Sequence, residues 1–272
     1  MRDVVSARDT AVELVCSRLD EAQRSATPVR PQEDWPQLSL DQAYAAQARL
    51  VDRRLQRGEQ QVGLKLGFTS EAKMRQMGID ELIIGVLTDG MQVPDGGRVD
   101  LGTLVHPRVE PEVAFRFGRD LDLADAALQV ADLQGALDGV AAGIEVIDSR
   151  YEGFSFDLPR VVADNTSAAA FTTGEWVDPD SVQIGELAVT LSIAGAVAAE
   201  GSTAAILGHP LSTLPHLLSL GRKLGLSVPA GSVVLAGAAT AAVPLLAGDV
   251  VVRVAGLGEA HLTGVDGGEV AS

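Results

Sequence analysis

Three glutamates lie inside otherwise apolar runs, and this placement limits how the chain can fold. Glu110 and Glu112 interrupt the run HPRVEPEVAF, and Glu145 interrupts the run VAAGIEVIDSRYE. If both runs are strands, side chains alternate with a period of two, so Glu110 and Glu112 point to the same face. Carboxylates that leave strands beside apolar neighbours are costly to desolvate unless something compensates their charge. A divalent cation is the simplest compensation, and because all-oxygen ligands suit Mg²⁺ or Mn²⁺, the three glutamates are a candidate metal site.

The charge and cysteine content exclude several classes of partner and site. The 272 residues carry a formal net charge of -16, which disfavours nucleic acid and anionic membrane surfaces. The single cysteine, Cys16, excludes an intrachain disulfide and a cysteine-based zinc site. The amino-terminal residues contain no apolar signal core, and no apolar run is long enough to span a bilayer. We therefore expect a cytoplasmic globular protein whose anionic ligands need a metal or local positive charge.

The first part of the chain, to about residue 58, has the pattern of helices. Apolar residues from Val5 to Leu19 recur at a helical spacing. After a proline-containing break, Ser39 and Gln42 form a capping-box pattern that opens a second helix, and Gly58 is its expected end. We expect these helices to serve packing or oligomer contacts rather than catalysis.

Beyond this segment the chain contains short β-rich runs separated by glycine. These runs are VGLKLGF, EVAFRF, GIEVID, LAVTLSIAG, GSVVLAG and GDVVVRVAG. Helical runs lie near residues 123–142 and 210–225, and Thr69 or Ser70 can cap a further helix that starts at Glu71. Because the strands do not alternate regularly with helices, a Rossmann or TIM-barrel arrangement is disfavoured. The sequence predicts a mixed α+β fold with a curved or rolled sheet.

Lys65 lies within the apolar run VGLKLGF, and two interpretations of it are open. If it alternates faces with Leu64 and Leu66, it can point inward. Burial lowers the pKa of a lysine and lets it act as an acid, a base or an electrostatic clamp. Alternatively, it is a surface lysine whose aliphatic stem covers a half-buried strand.

Two arginines lie close in sequence to the glutamates. Arg150 can hold a carboxylate through two parallel hydrogen bonds, or it can pair with Asp148 as a structural bridge, and the sequence favours the bridge. Arg108, beside the paired glutamates, has the same two interpretations. Neither arginine is therefore assigned to a ligand by the sequence pattern alone.

Several other residues are candidates for contact with a ligand. The tract VVADNTSAAAF sets four polar residues in an apolar frame, which is typical of a turn but can also present hydroxyl and amide groups to a ligand. These residues are Asp164, Asn165, Thr166 and Ser167. Apolar Ile83 and Ile84 are expected to line or support a pocket, and Thr240 is the one polar candidate in the run GAATAAVPLLAGD.

The sequence carries no other catalytic motif that we recognise. It contains no nucleophile elbow, no P-loop and no dinucleotide-binding glycine motif after a strand. Its four histidines have no metal-ligand spacing, and only His106 lies near the glutamates. A hydrolase that cleaves carbon–carbon bonds commonly needs a histidine–carboxylate pair to activate water, so this alternative would depend on His106 alone.

Four segments, by their order and spacing, resemble the 2-oxo-3-hexenedioate (4-oxalocrotonate) decarboxylases, which belong to the 2-keto-4-pentenoate hydratase group within the fumarylacetoacetase-like fold. The segments are GLKLGFTSEAKMRQMGIDELIIGVLTD, HPRVEPEVAF, GIEVIDSRYEGFSFDLPRVVADN and GAATAAVP. The resemblance covers roughly residues 38–262. It implies a mixed β-roll of the fumarylacetoacetase C-terminal type with flanking helices, usually in a homo-oligomer. We therefore divide the chain into a helical segment, residues 1–58, and a catalytic domain, residues 59–272.

The resemblance also implies a set of site residues. Three glutamates of the family bind Mg²⁺ or Mn²⁺, and they match Glu110, Glu112 and Glu145. The active-site lysine of the family matches Lys65, and a serine that approaches the substrate matches Ser167. The candidate catalytic residues are thus Lys65, Arg150 and Ser167. The candidate substrate-binding residues are Ile83, Ile84, Arg108, Asp164 and Thr240.

The reaction that the resemblance implies is decarboxylation of 2-oxo-3-hexenedioate to 2-hydroxypenta-2,4-dienoate and CO₂, in the meta-cleavage pathway of aromatic catabolism. Hydratases of the group carry an acidic residue two positions before the glycine that corresponds to Gly85, where this chain has Ile83. The absence of that carboxylate favours decarboxylation. Hydration of 2-hydroxypenta-2,4-dienoate at the same metal site is the alternative. A third possibility is a non-catalytic subunit that associates with a sibling hydratase.

Overall fold

The structure is a computed structural model that describes residues 7–30, 35–70, 74 and 82–267. The predicted helix that starts at Glu71 lies outside these residues, as does Val5 at the start of the first predicted helix.

The described residues form five α-helices and fourteen β-strands. The helices are α1 (Ala7–Ser25), α2 (Leu40–Gln56), α3 (Val130–Gln134), α4 (Leu158–Ala163) and α5 (Leu214–Leu224). The first seven strands are β1 (Gln61–Gly67), β2 (Ile83–Thr88), β3 (Gly97–Asp100), β4 (Arg108–Phe117), β5 (Leu121–Asp122), β6 (Leu137–Ile147) and β7 (Ala168–Thr173). The others are β8 (Ala188–Ile193), β9 (Ala196–Ser202), β10 (Ser227–Val228), β11 (Val233–Ala238), β12 (Val243–Pro244), β13 (Gly248–Val254) and β14 (Gly258–Val265).

Two mixed sheets form the body of the fold. The larger has the order β2-β1-β11-β4-β6-β7, with β12 paired to the start of β4, and the smaller has the order β3-β14-β13-β8-β9. One parallel pair occurs in each, β1 with β11 and β3 with β14, so neither sheet is purely antiparallel. Buried side chains of both sheets belong to one hydrophobic cluster, for example Ile144 and Val146 with Leu191 and Val252. The predicted α+β class, with a mixed sheet and flanking helices, is confirmed.

The amino-terminal helices form where the sequence predicted them. The Ser39 hydroxyl accepts a hydrogen bond from the Gln42 amide, and the Gln42 side chain accepts one from the Ser39 amide, which completes the capping box at the start of α2. The chain turns at Gly58, which has a φ of +102°. Val15 and Leu19 of α1 lie in the same hydrophobic cluster as Leu64 of β1. The helical segment and the sheet therefore share one core.

A buried amide joins α2 directly to the larger sheet. The Gln47 Nε2 atom donates hydrogen bonds to the carbonyl oxygens of Ile84 at 2.9 Å and Val162 at 3.1 Å. The first carbonyl belongs to β2 and the second to α4. Because buried backbone carbonyls need partners, this one side chain fixes the position of α2 against both elements.

The region near residues 123–142 differs from the prediction. Only Val130–Gln134 is helical, and from Leu137 the chain is strand β6. That strand pairs with β4 on one side and β7 on the other, and most of its residues are buried. A strand buried on both faces shows no alternation of apolar and polar residues, so its sequence is easily confused with that of a buried helix.

The predicted helix near residues 210–225 is confirmed by α5. It ends at Gly225, whose φ of +66° gives the left-handed cap that favours glycine. None of the helices in the described part of the chain is long and apolar enough to cross a membrane.

We expect Gln47→Met to lower the free energy of unfolding by about 1–3 kcal/mol, because it leaves buried carbonyls without a donor at similar side-chain volume. Urea unfolding followed by circular dichroism measures this change. Gln56→Met is the matched control, since Gln56 is an exposed residue of the same helix. Equal stability of the two variants would contradict this account of how α2 is attached.

Candidate metal centre

Antiparallel pairing of β4 with β6 brings the three predicted glutamates together. Glu110 is directly opposite Glu145, and Glu112 is opposite Gly143, which has no side chain to fill the space. One carboxylate oxygen from each of the three lies within 4.8 Å of the others. The relative exposure of the three is 6% for Glu110 and 1% each for Glu112 and Glu145. The arrangement is a compact, buried set of oxygen donors that suits a small divalent cation.

A backbone amide of β11 orients Glu112. The Gly237 N–H donates a 2.5 Å hydrogen bond to Glu112 Oε2. Pairing of β11 with β4 shifts register between Leu235 and Ala238, and Gly237 lies in this irregular stretch with a φ of +135°. A Cβ atom at position 237 would lie 2.0 Å from Thr69 Oγ1, so only glycine fits.

Lys65 points into the same site, so of its two interpretations the inward-facing one is correct. It is 3% exposed, and its Nζ atom lies 2.5 Å from Glu145 Oε1 and donates a 3.2 Å hydrogen bond to the Thr166 carbonyl. Burial acts to lower the pKa of Lys65, but the charges of Glu145, Glu110 and Glu112 together outweigh it. The net direction is a raised pKa, so the expected lowering is not found and Lys65 is an ammonium in this arrangement.

The electrostatic balance of the site is negative. Burial raises the pKa of Glu112 well above its usual range, and the neighbouring charges of Glu145 and Glu110 raise it further. The Lys65 ammonium and the Gly237 N–H oppose this shift without cancelling it. Among the residues that the structure describes, three carboxylates face one ammonium, and a divalent cation would offset this excess of negative charge.

The segment from Asn165 to Ser167 has an unusual backbone. These three consecutive residues have φ values of +48°, +54° and +60°. Left-handed backbone costs roughly 1–2 kcal/mol for each residue other than glycine, with asparagine the least penalised. The Asn165 side chain holds the segment to β2, since its Oδ1 accepts from the Val86 amide at 2.9 Å and its Nδ2 donates to the Val86 carbonyl at 2.8 Å. Both polar atoms of the Asn165 side-chain amide therefore bond the backbone of β2 and hold the left-handed segment against that strand.

Arg150 and Asp164 form a buried ion pair, which corrects their predicted roles. Arg150 Nε lies 2.5 Å from Asp164 Oδ1, and the guanidinium also donates to the carbonyls of Asp148, Ala168 and Asp164. Their side chains are 1% and 0% exposed. Burial raises the pKa of Asp164 to about 6, although the Arg150 guanidinium opposes the shift. Protein groups use these polar atoms, so neither residue is available to hold a substrate carboxylate.

The favoured bridge from Arg150 to the Asp148 side chain is not formed. Asp148 instead accepts hydrogen bonds from two backbone amides, Val105 to Oδ2 and His106 to Oδ1, each at 2.8 Å. This pair of bonds attaches the loop before β4 to the end of β6. The His106 ring packs against Phe154 at 4.7 Å between centroids, and burial lowers its pKa. The Arg108 guanidinium lies 4.5 Å from the centre of the same Phe154 ring.

The register of β1 with β2 separates the two predicted isoleucines. Lys65 is opposite Gly85, so Ile83, two residues away on the same strand, lies on the face of the sheet that carries the metal site. Ile84 is opposite Leu66 and lies on the other face, in the hydrophobic core. Ile84 can therefore support the pocket only from behind the sheet, because neighbouring strand residues point to opposite faces.

A cavity of about 300 Å³ opens beside Glu110. Hydroxyl-bearing Thr69, Ser70 and Thr240 line it, together with small residues, so predicted Thr240 is at the site. Ser167 is buried, with its Oγ atom 3.4 Å from Asp164 Oδ2. No observation assigns it a contact with a ligand, and its catalytic role remains a prediction.

Four features of the site escaped the sequence patterns. They are the Gly237 amide, the Thr166 carbonyl, the Asn165 anchor and the ring of Phe171, which is opposite Glu145 on β7. A glycine inside a strand pattern marks a bulge or a close backbone approach, so Gly237 carried a usable signal. The contribution of a backbone carbonyl depends on dihedral angles that residue types alone do not reveal.

Comparisons with known proteins show the family to which the chain is similar. A protein-family model described as fumarylacetoacetate hydrolase C-terminal matches residues 76–263. A 4-oxalocrotonate decarboxylase of Pseudomonas sp. is 43% identical over 236 residues, which cover 86% of this chain and 90% of the relative. A 2-keto-4-pentenoate hydratase of Paraburkholderia xenovorans (strain LB400) is 33% identical over 249 residues, 91% of this chain and 89% of the relative.

A solved structure extends the similarity to three dimensions. It is 4-oxalocrotonate decarboxylase from Pseudomonas putida G7, complexed with magnesium and adipate, with a TM-score of 0.88 and 36% identity. The match covers 96% of this chain and 99% of that one. The chain therefore belongs to the fumarylacetoacetate hydrolase family, in the group that includes 4-oxalocrotonate decarboxylases and 2-keto-4-pentenoate hydratases. The predicted β-roll of this family's C-terminal type is confirmed.

We expect Glu112→Gln to stabilise the metal-free protein and to abolish its stabilisation by Mg²⁺. The raised pKa means that the ionised carboxylate disfavours the folded state as pH rises, so a neutral amide should increase the free energy of unfolding at pH 7 by roughly 1–4 kcal/mol.

Thermal unfolding with EDTA and with excess Mg²⁺ measures both effects. Glu175→Gln is the control for loss of one negative charge, because Glu175 is exposed. A variant that loses stability without metal, or that keeps the full Mg²⁺-induced rise in Tm, would refute this reading of the site.

Proposed function

We propose that this protein catalyses metal-dependent decarboxylation of 2-oxo-3-hexenedioate to 2-hydroxypenta-2,4-dienoate and CO₂. The observation that carries the proposal is the buried cluster of Glu110, Glu112 and Glu145 with Lys65 at its edge. Relatives at 42–43% identity named 4-oxalocrotonate decarboxylase support the same reaction. The predicted place in aromatic meta-cleavage catabolism follows from that substrate.

The three glutamates would hold Mg²⁺, or Mn²⁺ in its place. Their oxygen donors, close spacing and excess negative charge fit a hard divalent ion, and related structures contain magnesium or calcium. When bound, the ion supplies Lewis-acid stabilisation to the oxygen on which enolate charge collects. Gly237 keeps Glu112 in the orientation that such binding needs.

In the reaction, the bond between the distal carboxylate carbon and the chain breaks and CO₂ leaves. The electron pair moves through the conjugated double bond onto the C2 oxygen of the substrate, which gives a dienolate. The Lys65 ammonium is the group of this chain that would stabilise that charge and donate a proton to the oxygen. Glu145 and the Thr166 carbonyl hold this ammonium in place.

The apolar surroundings would favour loss of a charged carboxylate as neutral CO₂. Ile83 lies on the same face of the sheet as the metal site, and Phe171 is opposite Glu145. The neighbouring cavity has room for the remainder of a six-carbon substrate, and Thr240 is a proposed contact there. Arg108, at the start of β4, is a proposed contact for a substrate carboxylate from outside the buried cluster.

Hydration of 2-hydroxypenta-2,4-dienoate is the alternative, since hydratase relatives at 32–36% identity share the fold. Ile83 disfavours it because it supplies no carboxylate to position water. A homo-oligomer, a cytoplasmic location and association with a sibling hydratase remain predictions.

The proposal is tested by incubating purified protein with Mg²⁺ and 2-oxo-3-hexenedioate. We expect CO₂ release that EDTA abolishes. Absence of CO₂, with hydration of 2-hydroxypenta-2,4-dienoate instead, would assign the chain to the hydratases.

We expect Lys65→Met to lower kcat by about 100-fold or more, because the charge beside the developing dienolate is lost. Lys223→Met is the control, since the Lys223 side chain is 48% exposed and pairs with Asp41 of α2, outside the site. A Lys65→Met protein with unchanged kcat would remove Lys65 from the mechanism.

A further inference from the structure

The ammonium of Lys65 has two fixed acceptors, and one of them is a backbone atom. Glu145 is held in β6, but the Thr166 carbonyl belongs to the left-handed segment of residues 165–167. Rotation of this backbone toward ordinary dihedrals would turn the peptide plane and move the carbonyl oxygen. The position of the ammonium therefore depends on whatever keeps this unfavourable backbone in place.

Asn165 is one of the residues that keep it in place, and its side chain is the one that bonds the segment to β2. It is the only asparagine of the chain and is 2% exposed. Its amide pairs with both the N–H and the carbonyl of Val86, as a neighbouring strand would. Asparagine is also the non-glycine residue that best tolerates a left-handed backbone. Asparagine at position 165 thus both forms the two hydrogen bonds to β2 and tolerates the left-handed backbone.

Strand β2 has a glycine at the point where the left-handed segment packs against it. Gly85 lies on β2 next to Val86 and opposite Lys65. A Cβ atom there would lie 2.3 Å from Thr166 Oγ1, 3.0 Å from the Asn165 carbonyl oxygen and 3.1 Å from Lys65 Cγ. The segment consequently packs directly on the backbone of β2, and any side chain at position 85 would displace it.

We propose that Asn165 is a positioning residue for Lys65, acting through the Thr166 carbonyl, and that Gly85 provides the space this contact requires. The inference deepens the proposed function, because it assumes that Lys65 acts on the ligand at the metal site. It predicts that a change at Asn165 affects the chemistry only while Lys65 is present.

A double-mutant cycle tests this dependence. Asn165→Gly removes both side-chain hydrogen bonds and leaves the backbone free to adopt a positive φ. We expect it to lower kcat on the order of 10-fold to 100-fold with a smaller change in KM, since misplacement of a catalytic group by about 1 Å has costs of this size. In a Lys65→Met background the same change should have no further effect.

A second measurement does not depend on turnover. Oxalate resembles the enolate of a 2-oxo acid, and its Kd in the presence of Mg²⁺ can be measured by calorimetry for the wild type, both single variants and the double variant. Weaker binding by Asn165→Gly only when Lys65 is present would support the proposal, even if the wild type releases no CO₂. An equal effect in both backgrounds, or none in either, would overturn it.

Two further variants separate positioning from general stability. Gln47→Met removes another buried amide that bonds the backbone of β2 without contacting Lys65 or Thr166, so it should lower stability but leave kcat unchanged. Gly85→Ala should reproduce the loss of kcat and of oxalate affinity, which keeps the test decisive if Asn165→Gly does not fold. Gly135→Ala is its control, because the nearest atom to an added Cβ there is 3.3 Å away. A Gly85→Ala protein with normal kcat and oxalate affinity would contradict the proposal.

Discussion

Buried negative charge is the constraint on which this structure depends. Glu110, Glu112 and Glu145 lie within one cluster in a nearly solvent-free part of the sheet, with the Lys65 ammonium against them. Removal of ions from water costs several kcal/mol each, and in the described part of the chain one ammonium faces three carboxylates. A divalent cation bound by the three glutamates would offset this charge.

The arrangement is held by backbone geometry as much as by side chains. Gly237 presents its N–H to Glu112 only because the strand is irregular and no Cβ is present. Thr166 presents its carbonyl to Lys65 only because three residues adopt a left-handed backbone. Arg150, which forms a buried ion pair with Asp164, also donates a hydrogen bond to the Asp164 carbonyl and so holds the residue that precedes this segment. Polar residues that appear to be ligand contacts in the sequence are, in this fold, the supports of that backbone.

The environment around the charges is apolar, and this contrast bears on the choice of reaction. Ile83, Leu87 and Phe171 lie on the face of the sheet that carries the glutamates, and Leu87 and Phe171 belong to a small hydrophobic cluster of their own. A site in which buried charged groups are surrounded by apolar side chains favours conversion of a charged carboxylate to neutral CO₂. It offers no carboxylate at position 83 to orient a water molecule. The distinction between decarboxylation and hydration within one fold can therefore depend on a single wall residue.

The sequence by itself determined the candidate metal ligands, the inward lysine as one of two alternatives, the capping box of α2 and the mixed α+β class, because alternation and apolar context are local properties. Tertiary structure decided the rest. Strand register placed Ile83 and Ile84 on opposite faces of the sheet, with Ile83 on the face that carries the glutamates, and double-sided pairing made β6 a strand where a helix was expected. Arg150 forms its ion pair with Asp164 rather than with Asp148, the partner that the sequence favoured. Register, backbone dihedrals and the pairing of buried charges arise from contacts between distant residues, so no local pattern specifies them.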